Sequence, residues 1–411
     1  MIRAIALDHG HDPGLASLPA YQHAALEAIA SCGTIAAGVH AERCDHCADV
    51  RWVPNTCGHR SCPHCQGRER AAWVQARMAE LLPCGYFHAV LTLPPGLRPL
   101  ADHYRSVVLD LLMRAASDAI AEQARSPRFL GAEVGQLAIL HTWTREIGWH
   151  PHVHVMVTAG GWDAERQRWV DARTYGLQKR PFLVPVDALR ASFRRQLRRL
   201  LLRAWADGAF ADDALGVADL GAFTRLLDQA LAVPIVIRIE PPFAGPTTLV
   251  KYLGAYVNGT AVSPKRVVYD QPRGLVTLHW RANATPDQPR TTTLPAVAFL
   301  KRFAQHVLPP RFQRIRFRGL WSTAHRRTKL ERVRAALQRL GRGMTGPSQD
   351  PPVPIPLAPS EHQRCPICGV GHYQRLPGPV PRPGPRERRR ILAALRSGGV
   401  PSTHAGATTA A

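Results

Sequence analysis

His150-Pro151-His152-Val153-His154-Val155-Met156-Val157 is the stretch on which the reading of this chain turns. In an extended segment alternate side chains share a face, so His152 and His154 point one way while Val153, Val155 and Val157 point the other. The valines can bury against a core while the imidazoles hold a cation on an accessible face. For an isolated His-x-His, a hydrogen-bonded surface pair is the better reading. The β-branched run and the surrounding features favour a metal site. Upstream, Val134 to Trp143 also reads as a strand, joined to the histidine strand by a turn near Glu146-Ile147-Gly148. A turn centred between Ile147 and Gly148 sets His141 opposite His154, so three imidazoles converge in a way that suits a divalent cation with open positions. Glu146 and His150 are rival third ligands. Imidazole alone does not select among Mg²⁺, Mn²⁺ and Zn²⁺.

The composition says what such a site would serve. Lys and Arg number 53 against 30 Asp and Glu, a formal net charge of +23 over 411 residues. That imbalance points to a polyanion, nucleic acid first and an anionic membrane second. No apolar run approaches the roughly 20 residues that span a bilayer, and Met1 to Gly10 lacks the pattern of a signal peptide. The expectation is a cytoplasmic protein with no membrane partner and no small-molecule substrate. In that reducing setting the nine cysteines read as metal ligands rather than disulfides. Cys44-x-x-Cys47 and Cys62-x-x-Cys65 form two knuckles whose four thiolates predict one closed, structural zinc site. Cys57 and His59 lie between them as alternative ligands, whereas the lone Cys32 and Cys84 read as core residues. Cys365-x-x-Cys368, with His362 and His372, predicts a second, smaller zinc site.

Strand and helix signals alternate through the middle of the chain. Tyr86 to Leu93 and Val233 to Ile239 read as strands, Leu100 to Ala121 and Val186 to Ala206 as helices. The pairs Arg266 to Tyr269 and Leu275 to Arg281 read as a hairpin, and Pro295 to His306 as a helix. The domains so predicted are a leader (1–19), a cysteine-rich zinc-binding DNA-recognition domain (20–84), a long catalytic domain (85–342) and a Pro/Arg-rich linker and tail (343–411), with the small knuckle at 362–372. Two arginine patterns are candidate phosphate contacts: Arg194, Arg195 and Arg198 on the amphipathic helix, and Arg314, Arg316 and Arg318 on the outer face of a half-buried strand. Trp143, Trp149 and Trp162 flank the histidine hairpin and are positioned either to stack on unpaired bases or to pack in the core.

Tyr252 and Tyr256 lie four apart in Thr248-Leu-Val-Lys-Tyr-Leu-Gly-Ala-Tyr-Val-Asn258, so on a helix both phenols reach one point. Alone this is core packing. Beside a metal-binding His-Val-His on a basic protein, a phenol can attack a DNA phosphate to form a phosphotyrosine. His152-Val153-His154 resembles the His-hydrophobic-His motif of the HUH single-strand endonucleases. Tyr252-Leu-Gly-Ala-Tyr256 resembles the two-tyrosine motif of their rolling-circle branch, and Cys57-Gly-His-Arg-Ser-Cys62-Pro-His-Cys65-Gln66 resembles the zinc-binding domain of insertion sequence 91 family transposases. In this order, from about Ala20 to Arg327, the motifs are specific.

The resemblance implies an α+β fold, a central antiparallel sheet flanked by helices, with the histidines on a central strand and the tyrosines on an adjacent helix. It implies a transposase in which His152 and His154 are the metal ligands and Tyr252 and Tyr256 are the nucleophiles; with His141 added by the hairpin register, the expected ion is Mg²⁺ or Mn²⁺. The partners would be single-stranded DNA at transposon ends and target DNA. One departure concerns DNA holding: Ala255 and Val257-Asn258-Gly259 stand where the family commonly carries basic residues. Competing readings are a plasmid replication initiator or relaxase, a zinc-containing DNA-binding regulator without catalysis, and a metal-dependent hydrolase. The last would want carboxylates near the histidines, where only Glu146 is close by in sequence.

Overall fold

The computed structural model describes residues 1–65, 81–175, 180–243, 261–282, 285, 287–323, 326–342, 364–378 and 382–397. Its helices are α1 (Ile2–His9), α2 (Ala20–Ser31), α3 (Arg98–His103), α4 (Arg105–Arg125), α5 (Val186–Ala206), α6 (Leu220–Ala232), α7 (Ala296–Ala304), α8 (Arg326–Arg339) and α9 (Pro385–Arg396). The strands begin with β1 (Val39–Cys44), β2 (Val50–Pro54), β3 (Tyr86–Thr92), β4 (Gly135–Trp143) and β5 (Trp149–Thr158). Short pairs follow, β6 (Gly160–Asp163) with β7 (Arg168–Asp171) and β8 (Thr174–Tyr175) with β9 (Arg180–Pro181). The rest are β10 (Ile237–Phe243), β11 (Val267–Asp270), β12 (Leu275–Arg281), β13 (Pro289–Pro295), β14 (Ile315–Gly319) and β15 (Tyr373–Arg375).

A five-stranded antiparallel sheet in the order β10-β3-β5-β4-β14 puts the histidine strand at its centre. Strand alternation gives this sheet two chemically different faces. Phe87, Ala89 and Leu91 of β3, Ala138 and Leu140 of β4, and Val153, Val155 and Val157 of β5 bury beneath α4 and α5. Those helices form because their apolar residues recur at helical spacing: Val108, Leu112, Ala116 and Ile120 on α4, and Leu189, Phe193, Leu197 and Leu201 on α5. Glu122 of α4 fastens the pair by accepting hydrogen bonds from Ser192 (2.9 Å), Gln196 (2.8 Å) and Arg195. The opposite face carries Tyr86, Leu137, Ile139 and Met156 against Leu330, Val333 and Leu337 of α8. His88, His141, His152 and His154 sit at positions that continue this second face.

A separate core joins α1 and α2 to the β11-β12-β13 sheet, α7, α9 and the buried cysteines Cys32, Cys62 and Cys65. Ile2, Ile5, Ala6 and Leu15 of the segment 1–19, expected as a leader, are buried in this core. The predicted tail also returns. β15 pairs with β1, and Leu392 of α9 is 1% exposed where α9 packs on α1 and α2. An amphipathic helix with Ile391, Leu392 and Leu395 on one side has an apolar stripe to bury, and the N-terminal helices cover it.

The basic strand also differs from its prediction. On β14, Ile315 and Phe317 face α8, but Arg316 turns to the α4 side and pairs with Asp110 at 2.7 Å. Arg318 lines a cleft with Ser117, Asp118 and Arg125 on that same side. Arg314 precedes the strand, lying over Trp143 at 5.8 Å from the ring centroid. These arginines therefore face a helix and a ring, not open solvent. Among the described residues no helix is long and apolar enough to cross a membrane.

Candidate metal centre

Pro151 sits at an irregularity in the histidine hairpin. It has no N–H to give to a ladder, so a central strand accommodates it at an irregularity. The register duly shifts there: His141 pairs with His152, but Trp143 pairs with Trp149. Because the turn closes between Thr144 and Gly148, His141 stands opposite His152 and not opposite His154, whose partner is Ile139. The turn closes through Thr144, whose N–H donates to Gly148 O and whose Oγ1 accepts from Gly148 N, each at 3.0 Å. Ile147 takes φ 56° there, a left-handed value that is costly for a β-branched residue. It is held by complete burial in the second core and by His306, whose Nε2 lies 3.0 Å from its carbonyl oxygen.

Despite the slip, His141, His152 and His154 converge, with a ligand nitrogen from each within 4.8 Å of the others. They are not on an open face: His141 and His154 are buried and His152 is largely so. Hydrogen bonds set which nitrogen each strand histidine presents. His152 Nδ1 donates to the His150 carbonyl at 2.7 Å, leaving Nε2 with its lone pair. His88 Nδ1 lies 2.9 Å from Glu240 Oε2, and His88 Nε2 lies 2.8 Å from His154 Nδ1. An ionised carboxylate can only accept, so His88 donates to Glu240 and accepts from His154. His154 then carries its proton on Nδ1 and its lone pair on Nε2, the kind of tautomer control expected around a metal.

Burial pushes the His152 imidazole down to about 4, against the upward pull of its hydrogen bond to the His150 carbonyl. Burial, with His141, His152 and His88 crowding it, pushes His154 far below the ordinary histidine range. Both rings are therefore neutral near pH 7, as ligation requires. His88 and Glu240 escaped the sequence reading. A lone histidine two residues after Tyr86 on a strand was the available signal for the first. Glu240 has none, because its strand reaches the histidines only through the sheet order. His150 bonds Arg98 at 2.9 Å and stands outside the cluster, and Glu146 is likewise not part of it. Trp143 stacks on His141 with centroids 4.5 Å apart, Trp149 stacks on His306, and Trp162 is buried under α8.

The cysteines regroup. Cys62 and Cys65 gather with Cys32 and Cys57, not with Cys44 and Cys47. Cys65 Sγ lies 3.6 Å from both Cys32 Sγ and Cys57 Sγ. Tetrahedral zinc with Zn–S bonds of about 2.3 Å requires S···S spacings near ~3.8 Å, which these distances approach. Hydrogen bonds from the other three sulfurs pull the Cys65 thiol strongly down, favouring a thiolate. Cys32, read as core from sequence, is a ligand candidate because α2 ends at Ser31 and delivers the next residue to the knuckle. Cys84 is buried outside either group. Cys44 and Cys47 instead meet Cys365 and Cys368, while His372 stands outside that cluster and His362 lies outside the described residues.

Arg195 of α5 pairs with Glu122, and Arg198 with Asp228 of α6 at 3.1 Å. Arg194 carries a buried Nε without a hydrogen-bond partner. Tyr252 and Tyr256, with Lys251, lie outside the described residues.

Residues 6–93 match a family described as "Transposase zinc-binding domain", and residues 135–329 one described as "Putative transposase". The chain is 35% identical over 369 residues to "Putative transposase y4qJ" of Sinorhizobium fredii, spanning 86% of this chain and 89% of that protein. It is 28% identical over 343 residues to "Transposase for insertion sequence element IS801" of Pseudomonas savastanoi pv. phaseolicola, spanning 83% and 80%. No solved structure matches it. A cysteine-rich zinc-binding region ahead of an antiparallel sheet with a central His-Val-His strand, together with relatives of nearly full length, places the chain in the insertion sequence 91 family of transposases, enzymes that act on DNA.

Proposed function

We propose that this transposase nicks single-stranded DNA at transposon ends through a tyrosine nucleophile and passes the strand to target DNA, in the rolling-circle manner. The observation that carries the reading is the trio His141, His152 and His154, with two of its rings locked to present Nε2. These three residues would hold Mg²⁺ or Mn²⁺. A divalent ion bound there supplies positive charge to an oxygen of the scissile phosphate. Tyr252 or Tyr256 attacks phosphorus: a bond from the phenol oxygen forms, the bond to the 3′ oxygen breaks, and a 3′-hydroxyl leaves with a proton. The 5′-phosphotyrosine conserves the bond energy, so attack by another 3′-hydroxyl rejoins strands without ATP.

The net charge of +23 supports a long phosphate track. Arg194, Arg195, Arg198, Arg314, Arg316 and Arg318 are proposed contacts, those in ion pairs exchanging a carboxylate for a phosphate. The site of action is the cytoplasm, on the DNA itself. Incubating the protein with labelled single-stranded transposon-end DNA and Mn²⁺ tests the reading. The expected result is a covalent protein–DNA adduct that disappears in a Tyr252→Phe, Tyr256→Phe double variant and in His152→Ala. DNA binding without cleavage under any divalent metal would overturn it.

A further inference from the structure

We infer that Cys44, Cys47, Cys365 and Cys368 form a second zinc site, a clasp that locks the C-terminal segment onto the N-terminal module. The ligands come in two pairs from opposite ends of the chain. Cys47 Sγ lies 3.6 Å from Cys365 Sγ, 318 residues away, and Cys44 Sγ lies 3.8 Å from Cys368 Sγ. A disulfide needs sulfurs about 2.05 Å apart, so neither contact is one. Four thiolates on one zinc ion need S···S distances near ~3.8 Å, and both contacts comply.

The backbone around the sulfurs is shaped for a cation as well. The two knuckles share one conformation: the residue after the second cysteine is left-handed in each, Ala48 at φ 60° and Gly369 at φ 66°. Left-handed backbone is unusual for alanine, and here it lets the chain fold back over the sulfurs. Amide N–H groups then point at sulfur, His46 N to Cys44 Sγ at 3.5 Å and Gly371 N to Cys368 Sγ at 3.3 Å. Such bonds stabilise thiolates in preference to thiols. Gly371 is required by proximity, because a Cβ there would sit 2.5 Å from Cys44 Sγ. The pairing of β15 with β1 sets the register, with Cys44 opposite Tyr373, and His372 N donates to Asp45 Oδ1 at 2.8 Å.

This site differs from the one formed by Cys32, Cys57, Cys62 and Cys65, which lies wholly within the matched zinc-binding region at 6–93. Half of the clasp's ligands lie far beyond residue 93. The inference does not depend on the proposed nicking chemistry, and neither outcome below bears on it.

Zinc per chain, measured by elemental mass spectrometry on the full-length protein, tests the clasp. Cys44→Ser/Cys47→Ser and Cys365→Ser/Cys368→Ser should each lose one zinc, and the fourfold variant should lose no more than either pair. Unchanged zinc in the Cys365/Cys368 variant, or a loss of two ions in the fourfold variant, would overturn the inference. Alkylation of the unmodified protein by iodoacetamide, read by peptide mass spectrometry, covers the case of variants that fail to fold. With zinc bound, Cys44, Cys47, Cys365 and Cys368 should be protected together, and a chelator should expose all four together. Cys365 and Cys368 reacting at one rate with and without chelator would also overturn it.

Discussion

His154 owes its ring orientation to two residues that the three-histidine cluster does not include. His88 fixes its tautomer, and Glu240 fixes that of His88. Removing such support typically weakens metal binding about 10–100-fold. His88→Ala should therefore raise the Kd for Mn²⁺ by that factor, as measured by titration calorimetry, with His88→Gln recovering part of the loss. An unchanged Kd would show that His154 orients without His88. A second buried imidazole, His306, bears on stability. Burial pushes it down to about 4, against 6.5 for an unperturbed ring. Below pH 6.5 the unfolded chain takes up a proton that the folded chain refuses. Stability from this group is thus complete above pH 6.5 and lost progressively as pH falls toward 4, by up to ~3 kcal/mol. Urea denaturation at pH 7.5 and 5.0 should show a smaller pH effect in His306→Gln than in the parent protein.

At the scale of elements, the β4–β5 hairpin links the metal centre to the second core through its tip. Ile147 is fully buried there in a strained conformation. Ile147→Ala should cost about 2–5 kcal/mol, as for other large-to-small core changes, visible as a lowered Tm. A change no larger than that of a surface substitution would mean that the tip is not an anchor. The strands of this hairpin and the helix Val186–Ala206 were legible in sequence because their periodicities are long and unbroken. The register was not, since the turn closes between Thr144 and Gly148, ahead of the expected centre between Ile147 and Gly148, and no alternation pattern reports where a turn closes. The grouping of cysteines was also hidden. Spacing along the chain pairs the nearest knuckles, whereas the sheet and α2 decide which sulfurs meet. The arginine row of α5 was legible as a row, but not its engagement with Glu122 and Asp228. If those arginines exchange partners for phosphate, Arg195→Ala and Arg198→Ala should each flatten the plot of log K against log salt for single-stranded DNA by about 0.7. An unchanged slope would leave them as interhelical braces.

Across the whole molecule, residues near both termini close one small sheet, β15-β1-β2. In the chain-entropy view, tying together points 318 residues apart removes unfolded-state freedom equivalent to about 6 kcal/mol at most. A protein ended after Arg342 should keep the five-stranded sheet, because none of its strands lies beyond residue 319. It should lose amide-exchange protection over Val39–Cys44, as measured by hydrogen exchange, and one zinc per chain. The same closure has a consequence in time. Cys368 leaves the ribosome 324 residues after Cys44, about 15–65 s later at ordinary elongation rates. Until then β15, one of the two strands that border β1, does not exist. A nascent or prematurely terminated transposase therefore carries an unfinished N-terminal module, and only a chain translated through β15 can complete it.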